Sequence, residues 1–239
     1  MDGLQELQKM FDASRDIVFF GGAGVSTESG IPDFRSADGL YNQQYKYPPE
    51  TIISHSFFMH DPEEFYRFYR NKMVYPAAKP GAAHLALAAW EKAGLLQAVV
   101  TQNIDGLHQM AGSRNVLELH GSVLRNFCRD CGRPYGVEAV TGCDGVPRCT
   151  CGGIIKPDVV LYEEPLNNDI MEQALTAISR ADMLVIGGTS LGVYPAAGLV
   201  DYYRGSRLVL INKSVTPMDG RAQLVIHDSI GRVLSGVKL

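Results

Sequence analysis

The chain has 239 residues, of which 46% are hydrophobic and 20% are charged, a composition typical of globular rather than disordered proteins. Its formal net charge of −4 and the lack of a basic run in the sequence argue against direct binding of nucleic acid. No apolar run reaches membrane-spanning length, and the N-terminal residues do not resemble a signal peptide. We therefore expect a cytoplasmic protein with no membrane partner.

The first predicted strand runs into a glycine-rich turn. Residues 17–20 are apolar and predict a buried parallel strand, and residues 21–24 (GGAG) allow a tight turn and close approach to a ligand. Residues 25–28 can begin a helix, whose free N–H groups and dipole favour anionic oxygens. Strand, turn and helix start together indicate a site for a nucleotide pyrophosphate.

The glycine pattern differs from that of an ordinary dehydrogenase. Gly22 and Gly24 match the first two glycines of the dinucleotide fingerprint, but Thr27 stands in place of the third. No acidic residue ends a second strand about 20 residues further on, where the fingerprint needs one. Beyond the turn, Phe34 stands between a carboxylate and the guanidinium of Arg35. This segment is either part of the ligand site or a capped loop with a salt bridge.

Two helices are predicted after an irregular segment. Residues 36–60 carry aromatic residues and prolines without a clear period, and we expect them to be mobile or irregular near the site. Residues 61–64 (DPEE) supply an N-cap, a proline and a glutamate, which predicts that the following FYRFYRNKM is helical. A second helix is expected over residues 80–94. His84 on this helix is either a ligand or base or, more commonly, a core or capping residue.

The next two predicted strands each end in polar residues. Residues 98–101 form a strand, and residues 102–106 (QNIDG) follow at its carboxyl end, where open α/β sheets bind ligands. Asp105 could accept from an amide NH2 group, and the alternative is an Asx-type turn. Residues 116–119 form another strand that leads to His120. This histidine is placed to act as a general base near neutral pH, or it is a structural histidine.

The cysteines predict a metal site. All five lie in one short segment, and in a reducing cytosol such clustering favours metal ligation over disulfides. Cys128 with Cys131, and Cys149 with Cys151, supply the two thiolate pairs that tetrahedral zinc requires. Four cysteine ligands leave no open position, so the zinc would be structural. Cys143 is the extra thiol, although it could substitute for Cys149 or Cys151.

The remainder of the chain alternates strands and helices. Residues 156–164 are extended and β-branched, and they either pair with a peptide by strand addition or form a plain sheet strand. Beyond them, helices are predicted over residues 168–180 and 195–204, and strands over residues 182–186, 208–211 and 222–226. A last helix, capped by residues 228–229, is predicted to follow. This alternation predicts an α/β fold with a doubly wound parallel sheet.

Taken in order, these motifs resemble the sirtuins, the NAD-dependent protein-lysine deacylases of the Sir2 type. The resemblance covers nearly the whole chain and rests on GAGVSTESGIPDFR, TQNIDGLH, the His120-Gly121 pair, the four cysteines, KPDVVLYEE, GTSLGVYPA and LINK. It implies a Rossmann-like large domain together with a small domain built from a helical insertion and a zinc ribbon. The expected bounds are 1–35, 77–123 and 157–239 for the large domain, 36–76 for the insertion and 124–156 for the ribbon.

The resemblance also implies that NAD and an acyl-lysine peptide enter the cleft between the domains. His120 would be the catalytic base, with Asn103 as the second catalytic residue, and Val160 and Tyr162 would flank the peptide and the acyl-lysine. The cofactor site would comprise Ala23, Thr27, Phe34, Arg35, Gln102, Asn103, Ile104, Asp105, Gly188, Thr189, Ser190, Asn212 and Ile230.

The reaction implied by the resemblance consumes NAD. The acyl oxygen would attack C1 of the nicotinamide ribose as nicotinamide leaves, and the base would then take a proton from a ribose hydroxyl. The products would be free lysine, nicotinamide and O-acetyl-ADP-ribose, with acetylated-lysine proteins or peptides as partners, and we expect a monomer. The alternatives are a protein ADP-ribosyltransferase that uses the same NAD site, a module that binds NAD or acylated peptides without turnover, and a zinc-ribbon nucleic-acid adaptor.

Several positions depart from the family pattern. Gly21 stands where threonine is usual, Glu163 stands where a glycine is usual, and the second cysteine pair has one intervening residue rather than two. Tyr69 occupies the place of an arginine that members acting on succinyl or malonyl groups carry. We therefore expect a preference for uncharged acyl groups, chiefly acetyl, and a peptide preference that Glu163 shifts toward basic flanks.

Overall fold

The structure is a computed structural model that describes residues 2–34, 39–40 and 46–239, so Arg35 lies outside the described residues. The strands are β1 (Ile17–Gly21), β2 (Leu96–Thr101), β3 (Val116–Glu118), β4 (Gly121–Cys128), β5 (Pro134–Tyr135), β6 (Ile155–Val159), β7 (Met183–Gly187), β8 (Leu208–Ile211) and β9 (Leu224–Ile226). The α-helices are α1 (Asp2–Asp12), α2 (Pro49–Ile52), α3 (His55–His60), α4 (Pro62–Lys72), α5 (Ala82–Lys92), α6 (Leu107–Ala111), α7 (Glu138–Thr141), α8 (Asn168–Arg180) and α9 (Ile230–Ser235).

The main sheet has six parallel strands in the order β3-β2-β1-β7-β8-β9. Its centre is β1, in which Gly21 lies opposite Thr101 of β2 and Gly187 of β7. This order confirms the predicted doubly wound sheet. The strand order reverses at β1 and β7, and ligands of such sheets bind at that switch point, outside the carboxyl ends of the strands.

Helices cover both faces of the main sheet, which explains why its strands are continuously apolar. Side chains alternate between the faces along a strand. Phe19 is fully buried in the apolar cluster that includes residues of α1, α5 and α9. Its neighbour Phe20 is fully buried in the opposite cluster, with residues of α8 and of the 3₁₀ helix Ala196–Tyr202.

A smaller unit contains the three-stranded antiparallel sheet β5-β4-β6. Its core packs α4 against this sheet, with the Phe65 ring 4.9 Å from Phe58 and 5.1 Å from Tyr66. Helix α4 begins at the predicted cap, since the Asp61 side chain accepts from the Glu64 N–H group at 3.1 Å. Among the described residues, no helix combines the length and the apolar character needed to cross a bilayer.

Four predicted elements were wrong in type or extent. The segment 36–60 was expected to be mobile or irregular, but its described part contains the helices α2 and α3. The α-helix expected at residues 25–28 is a pair of 3₁₀ helices, Ala23–Val25 and Thr27–Ser29, in which the N–H groups of Ser26 and Gly30 donate to carbonyl oxygens three residues earlier. The helix expected at residues 195–204 is the 3₁₀ helix Ala196–Tyr202. The extended segment over 156–164 stops being a strand at Val159, where β6 ends.

Candidate active site

A cleft of about 1040 Å³ lies between the main sheet and the smaller unit, at the carboxyl ends of β1, β2, β7 and β8. Small-molecule sites typically span about 300–1,000 Å³, so this cleft has room for two reactants. The structure brings together all the predicted cofactor, catalytic and substrate residues that it describes. They line the cleft and are Ala23, Thr27, Phe34, Gln102, Asn103, Ile104, Asp105, His120, Val160, Tyr162, Gly188, Thr189, Ser190, Asn212 and Ile230.

The two glycine turns at the cleft pack directly on each other. The Gly24 N–H group donates to the Gly188 carbonyl oxygen at 2.8 Å, and a Cβ atom on Gly24 would lie 2.8 Å from the same oxygen. Only glycine therefore allows this approach. Gln102 joins the same edge, since its Nε2 donates to Thr189 Oγ1 at 3.1 Å. The floor of the cleft is thus a rigid set of backbone and amide groups.

A polar network joins Ser26, which follows β1, to the residues that follow β2. The buried Ser26 hydroxyl donates to Asp105 Oδ2 at 2.6 Å and accepts from Asn103 Nδ2 at 3.0 Å. The other oxygen of Asp105 accepts from the Leu107 N–H group at 2.9 Å, which fixes the carboxylate. An amide ligand needs both a donor and an acceptor, and this corner of the cleft offers both.

His84 is a capping residue that also contacts this network. Its Nδ1 accepts from the Gly81 N–H group at 3.1 Å, so its proton is on Nε2, which lies 3.5 Å from Ser26 Oγ. Burial lowers the pKa of His84 and keeps the ring neutral. The core and capping interpretation of His84 is therefore the one the geometry favours.

His108 packs behind His84. The two ring centroids are 4.7 Å apart, and His108 is only 1% exposed. Neither ring nitrogen of His108 has a hydrogen-bond partner in the part of the chain that the structure describes. Burial lowers the pKa of His108 to about 3, so the ring is neutral throughout the physiological range.

We expect the free energy of unfolding to decrease as the pH falls below 6.5. The unfolded chain binds a proton at His108 there, and the folded chain does not until about pH 3, so acid favours unfolding. For this one group the loss at pH 5 is about 2 kcal/mol. Urea unfolding at pH 7 and pH 5 measures this loss. Between these two pH values, the free energy of unfolding should decrease by about 2 kcal/mol less in His108→Leu than in the wild type. An equal loss in both proteins would contradict the buried neutral histidine.

His120 is oriented as a base. Its Nδ1 lies 3.0 Å from the Gln102 carbonyl oxygen. Because that oxygen only accepts, Nδ1 carries the proton and Nε2 keeps a free lone pair. Burial lowers the pKa of His120, so the ring is neutral at pH 7. The His120 carbonyl also accepts from the Val160 N–H group at 3.0 Å, which joins the base to the segment after β6.

Arg125 ties the strand that precedes His120 to the smaller sheet. Its Nη1 is 2.7 Å from Glu118 Oε2, and its Nε is 2.8 Å from Asp158 Oδ2. Glu118 is buried at the end of β3, and Arg125 is its ion-pair partner there. Gly121 has φ +75°, and a Cβ there would overlap the Asp158 carbonyl oxygen. The backbone around His120 is thus held from both sides.

Four cysteines form a compact cluster at one end of the smaller sheet. The Sγ atoms of Cys128 and Cys151 are 3.4 Å apart, those of Cys131 and Cys149 are 3.6 Å apart, and all four lie within 4.8 Å of one another. Tetrahedral zinc with Zn–S bonds of about 2.3 Å places its sulfurs about 3.8 Å apart, so the four residues fit this ion. These four cysteines are the ones predicted to bind zinc.

Tyr135 and Cys143 lie near the cysteine cluster without being ligands. The Tyr135 hydroxyl donates to Cys149 Sγ at 3.0 Å, a contact that orients this ligand. Cys143 stays outside the cluster, with its Sγ 3.4 Å from the Ala139 carbonyl oxygen. The choice of Cys149 and Cys151 over Cys143 as ligands is therefore supported.

Two carboxylates join the segment after β6 to α3. Glu163 accepts from the N–H and hydroxyl groups of Ser56 at 2.8 and 2.5 Å, and these bonds lower the pKa of Glu163. Glu164 lies 2.8 Å from His55 Nδ1 and 3.0 Å from Lys156 Nζ. Glu163 has φ +74°, a left-handed conformation that favours glycine.

We expect backbone strain at Glu163 to be measurable by comparing two variants that both lose the carboxylate. Glu163→Gly should be more stable than Glu163→Ala by about 1 kcal/mol, because only alanine keeps a Cβ in the left-handed region. Urea unfolding of both variants tests this difference. An alanine variant at least as stable as the glycine variant would contradict it.

Sequence reasoning missed two residues at this site. Ser26 stands at the centre of the polar network, and its signal was a hydroxyl two residues after the glycine turn. Arg125 had no sequence signal, because its two partners come together only through strand pairing.

Comparisons with known proteins agree along the length of the chain. The model of the Sir2 family matches residues 22–195. The NAD-dependent protein deacetylase of Clostridium perfringens (strain 13 / Type A) is 61% identical over 240 residues, covering 99% of this chain and 98% of the relative. A solved structure of Sir2 with a p53 peptide and NAD⁺ is 40% identical, with a TM-score of 0.86, and the match covers 97% of this chain and 95% of that one. A Sir2 variant with a deacetylated p53 peptide and 3′-O-acetyl-ADP-ribose is 39% identical, with a TM-score of 0.89, covering 98% and 99%. With the family model matching most of its residues, this chain belongs to the Sir2 family.

Proposed function

We propose that the protein is an NAD-dependent protein-lysine deacetylase that yields nicotinamide, free lysine and O-acetyl-ADP-ribose. The observation that carries the proposal is the geometry of His120. Its Nδ1 proton is held by the Gln102 carbonyl, so Nε2 is a free base in the same cleft as the amide-binding corner around Ser26. The name of the Clostridium perfringens relative supports the same activity.

The cleft lining suggests where NAD lies. We assign the nicotinamide carboxamide to the corner formed by Ser26, Asn103 and Asp105, which offers both a donor and an acceptor. The glycine turn, with Ala23, Thr27, Phe34 and Arg35, is assigned to the adjoining part of the cofactor, and Gln102 and Ile104 to the ribose. The adenosine half is assigned to Gly188, Thr189, Ser190, Asn212 and Ile230.

We assign separate roles in the reaction to Asn103, His120 and Gln102. Bound NAD supplies the ribose carbon that nicotinamide leaves and that the acyl oxygen joins. Asn103 orients polar groups at that carbon through its fixed position beside Ser26. His120 Nε2 accepts a proton from a ribose hydroxyl, and the Gln102 carbonyl stabilises the resulting imidazolium through Nδ1–H.

The acetylated peptide is assigned to the segment after β6, with Val160 and Tyr162 beside the acyl-lysine. Glu163 is proposed to favour basic flanking residues.

We assign the large domain to residues 1–35, 77–123 and 157–239, the helical insertion to 36–76 and the zinc ribbon to 124–156. Two of these boundaries fall inside β4 and β6, so a continuous sheet joins the two domains. We also propose that the protein acts in the cytoplasm as a monomer, without a nucleic-acid partner.

The test is nicotinamide release from NAD, measured with and without an acetyl-lysine peptide, together with mass analysis of the peptide. A deacetylase should release nicotinamide only with the peptide and should return free lysine in equal amount. Release without the peptide, or adenine label that stays on protein after washing, would replace the proposal by NAD hydrolysis or ADP-ribosyl transfer. No release would leave a binding module.

A further inference from the structure

The cleft continues past His120 into the core of the smaller unit. One set of residues both lines the cleft and belongs to the buried apolar cluster between α4, β4 and β6. We call this set the side pocket, and its members are Tyr69, Met73, Val74, Ile104, Val123, Val137, Val159 and Leu161. The Tyr69 hydroxyl is the only side-chain oxygen or nitrogen among them.

The side pocket begins at the proposed reaction centre. The Val123 N–H group donates to the Ile104 carbonyl oxygen at 2.9 Å, and Ile104 directly follows Asn103. The Val160 N–H group donates to the His120 carbonyl oxygen at 3.0 Å, and both chain neighbours of Val160 belong to the side pocket. An acyl carbonyl held beside His120 therefore has its hydrocarbon end next to the side pocket.

The Tyr69 hydroxyl is buried without a hydrogen-bond partner in the described part of the chain. The residue is 1% exposed, so bulk water does not satisfy this group. Tyr66, one turn earlier on α4, is buried too, but its hydroxyl donates to the Ile155 carbonyl oxygen at 2.5 Å. A buried unpaired hydroxyl costs free energy, and a ligand is one reason to keep it.

The Tyr69 hydroxyl stays neutral. Burial raises its pKa, so the group remains protonated and can both donate and accept. The side pocket, as defined by its eight members, contains no cationic side chain, and a carboxylate there would be desolvated without a partner. A plain hydrocarbon chain would fit the apolar wall and leave the hydroxyl unpaired.

We propose that the side pocket accepts uncharged 3-hydroxyacyl groups on lysine, and that the Tyr69 hydroxyl pairs with the hydroxyl of the acyl chain. The inference rests on the proposed deacetylase function and names a class of acyl group for the same site. Tyr69 is then a specificity-determining residue.

The experiment compares kcat/KM for one peptide carrying acetyl-, butyryl-, succinyl- or 3-hydroxybutyryl-lysine, the last as each enantiomer. Butyryl and 3-hydroxybutyryl differ by one oxygen, so their ratio isolates the hydroxyl contact. The wild type should prefer the better enantiomer over butyryl. Tyr69→Phe should lower that ratio about three- to tenfold, as expected for one neutral hydrogen bond.

Tyr66→Phe is the matched control. It removes a hydroxyl from the same helix, and should keep the wild-type ratio but lower the melting temperature, because the bond to Ile155 is lost. Tyr69→Phe should not lower the melting temperature, because its hydroxyl has no partner among the described residues to lose. A ratio that is unchanged in Tyr69→Phe, or changed equally in Tyr66→Phe, would overturn the inference. Absence of acetyl-lysine turnover in the wild type would instead overturn the deacetylase proposal.

Discussion

Replacing His120 by alanine is expected to lower kcat/KM for an acetyl-lysine peptide by about 10²–10⁴, the contribution typical of a positioned general base. The variant loses the free Nε2 that the bond from Nδ1 to Gln102 orients. His84 cannot substitute, because its Nδ1 accepts from Gly81 and its Nε2 proton faces Ser26. Rates of nicotinamide release and of peptide deacetylation measure the effect.

His60→Ala is the matched control for this variant. His60 is an exposed histidine at the end of α3, and its removal should leave the rate at the wild-type value. Thermal unfolding of His120→Ala establishes that the variant is folded under the assay conditions. A folded His120→Ala protein with wild-type kcat/KM would exclude His120 as the base.

The pH dependence of the rate follows from the same geometry. Only the neutral ring can accept a proton, and burial lowers the pKa of His120 below its ordinary value of 6.5. The rate should therefore stay level as the pH falls from 8 to 6.5 and should decline only below that, as the ring takes up a proton. A limb with its midpoint above pH 6.5 would assign the titration to another group.

The fold could be predicted from the sequence because local patterns and the global sheet agree. Phe19 and Phe20 belong to an apolar run without polar alternation, and that run requires a strand covered on both faces. Helix α8 has the predicted bounds because the Asn167 side chain caps its start and the backbone leaves the helical conformation at Ala181. The cysteines were equally informative, since their spacing favoured the four residues that form the cluster, and the structure then excluded Cys143 as a substitute for Cys149 or Cys151.

The polar network and the side pocket could not be predicted, because they depend on distances between segments far apart in the chain. Ser26 meets Asp105 across 79 positions of sequence, and no local pattern encodes that contact. That the Tyr69 hydroxyl lacks a partner among the described residues can be recognised only from the positions of the side chains around it in the folded protein.

Removing zinc is expected to unfold the ribbon and abolish activity. The apolar cluster beside the cysteines is small, with Cys128, Cys149 and Ile155 as its buried members, so little apolar burial holds this end of the sheet. Structural zinc contributes about 10–16 kcal/mol of binding free energy, which exceeds what such a cluster supplies. Strand β4 starts directly after His120, so its loss frees the backbone of the base.

The double variant Cys128→Ser with Cys131→Ser tests this prediction, with bound zinc measured by a colorimetric chelator. We expect no bound zinc, loss of amide hydrogen-exchange protection in β4 and β6, and no measurable deacetylation. Cys143→Ser is the matched control, because its Sγ contacts α7 and not the cluster. It should retain one zinc ion and wild-type activity, since its thiol only contacts backbone carbonyls and Arg70. Full activity in a double variant with no bound zinc would show that the ribbon folds without the metal, and the structural role of zinc would then be wrong.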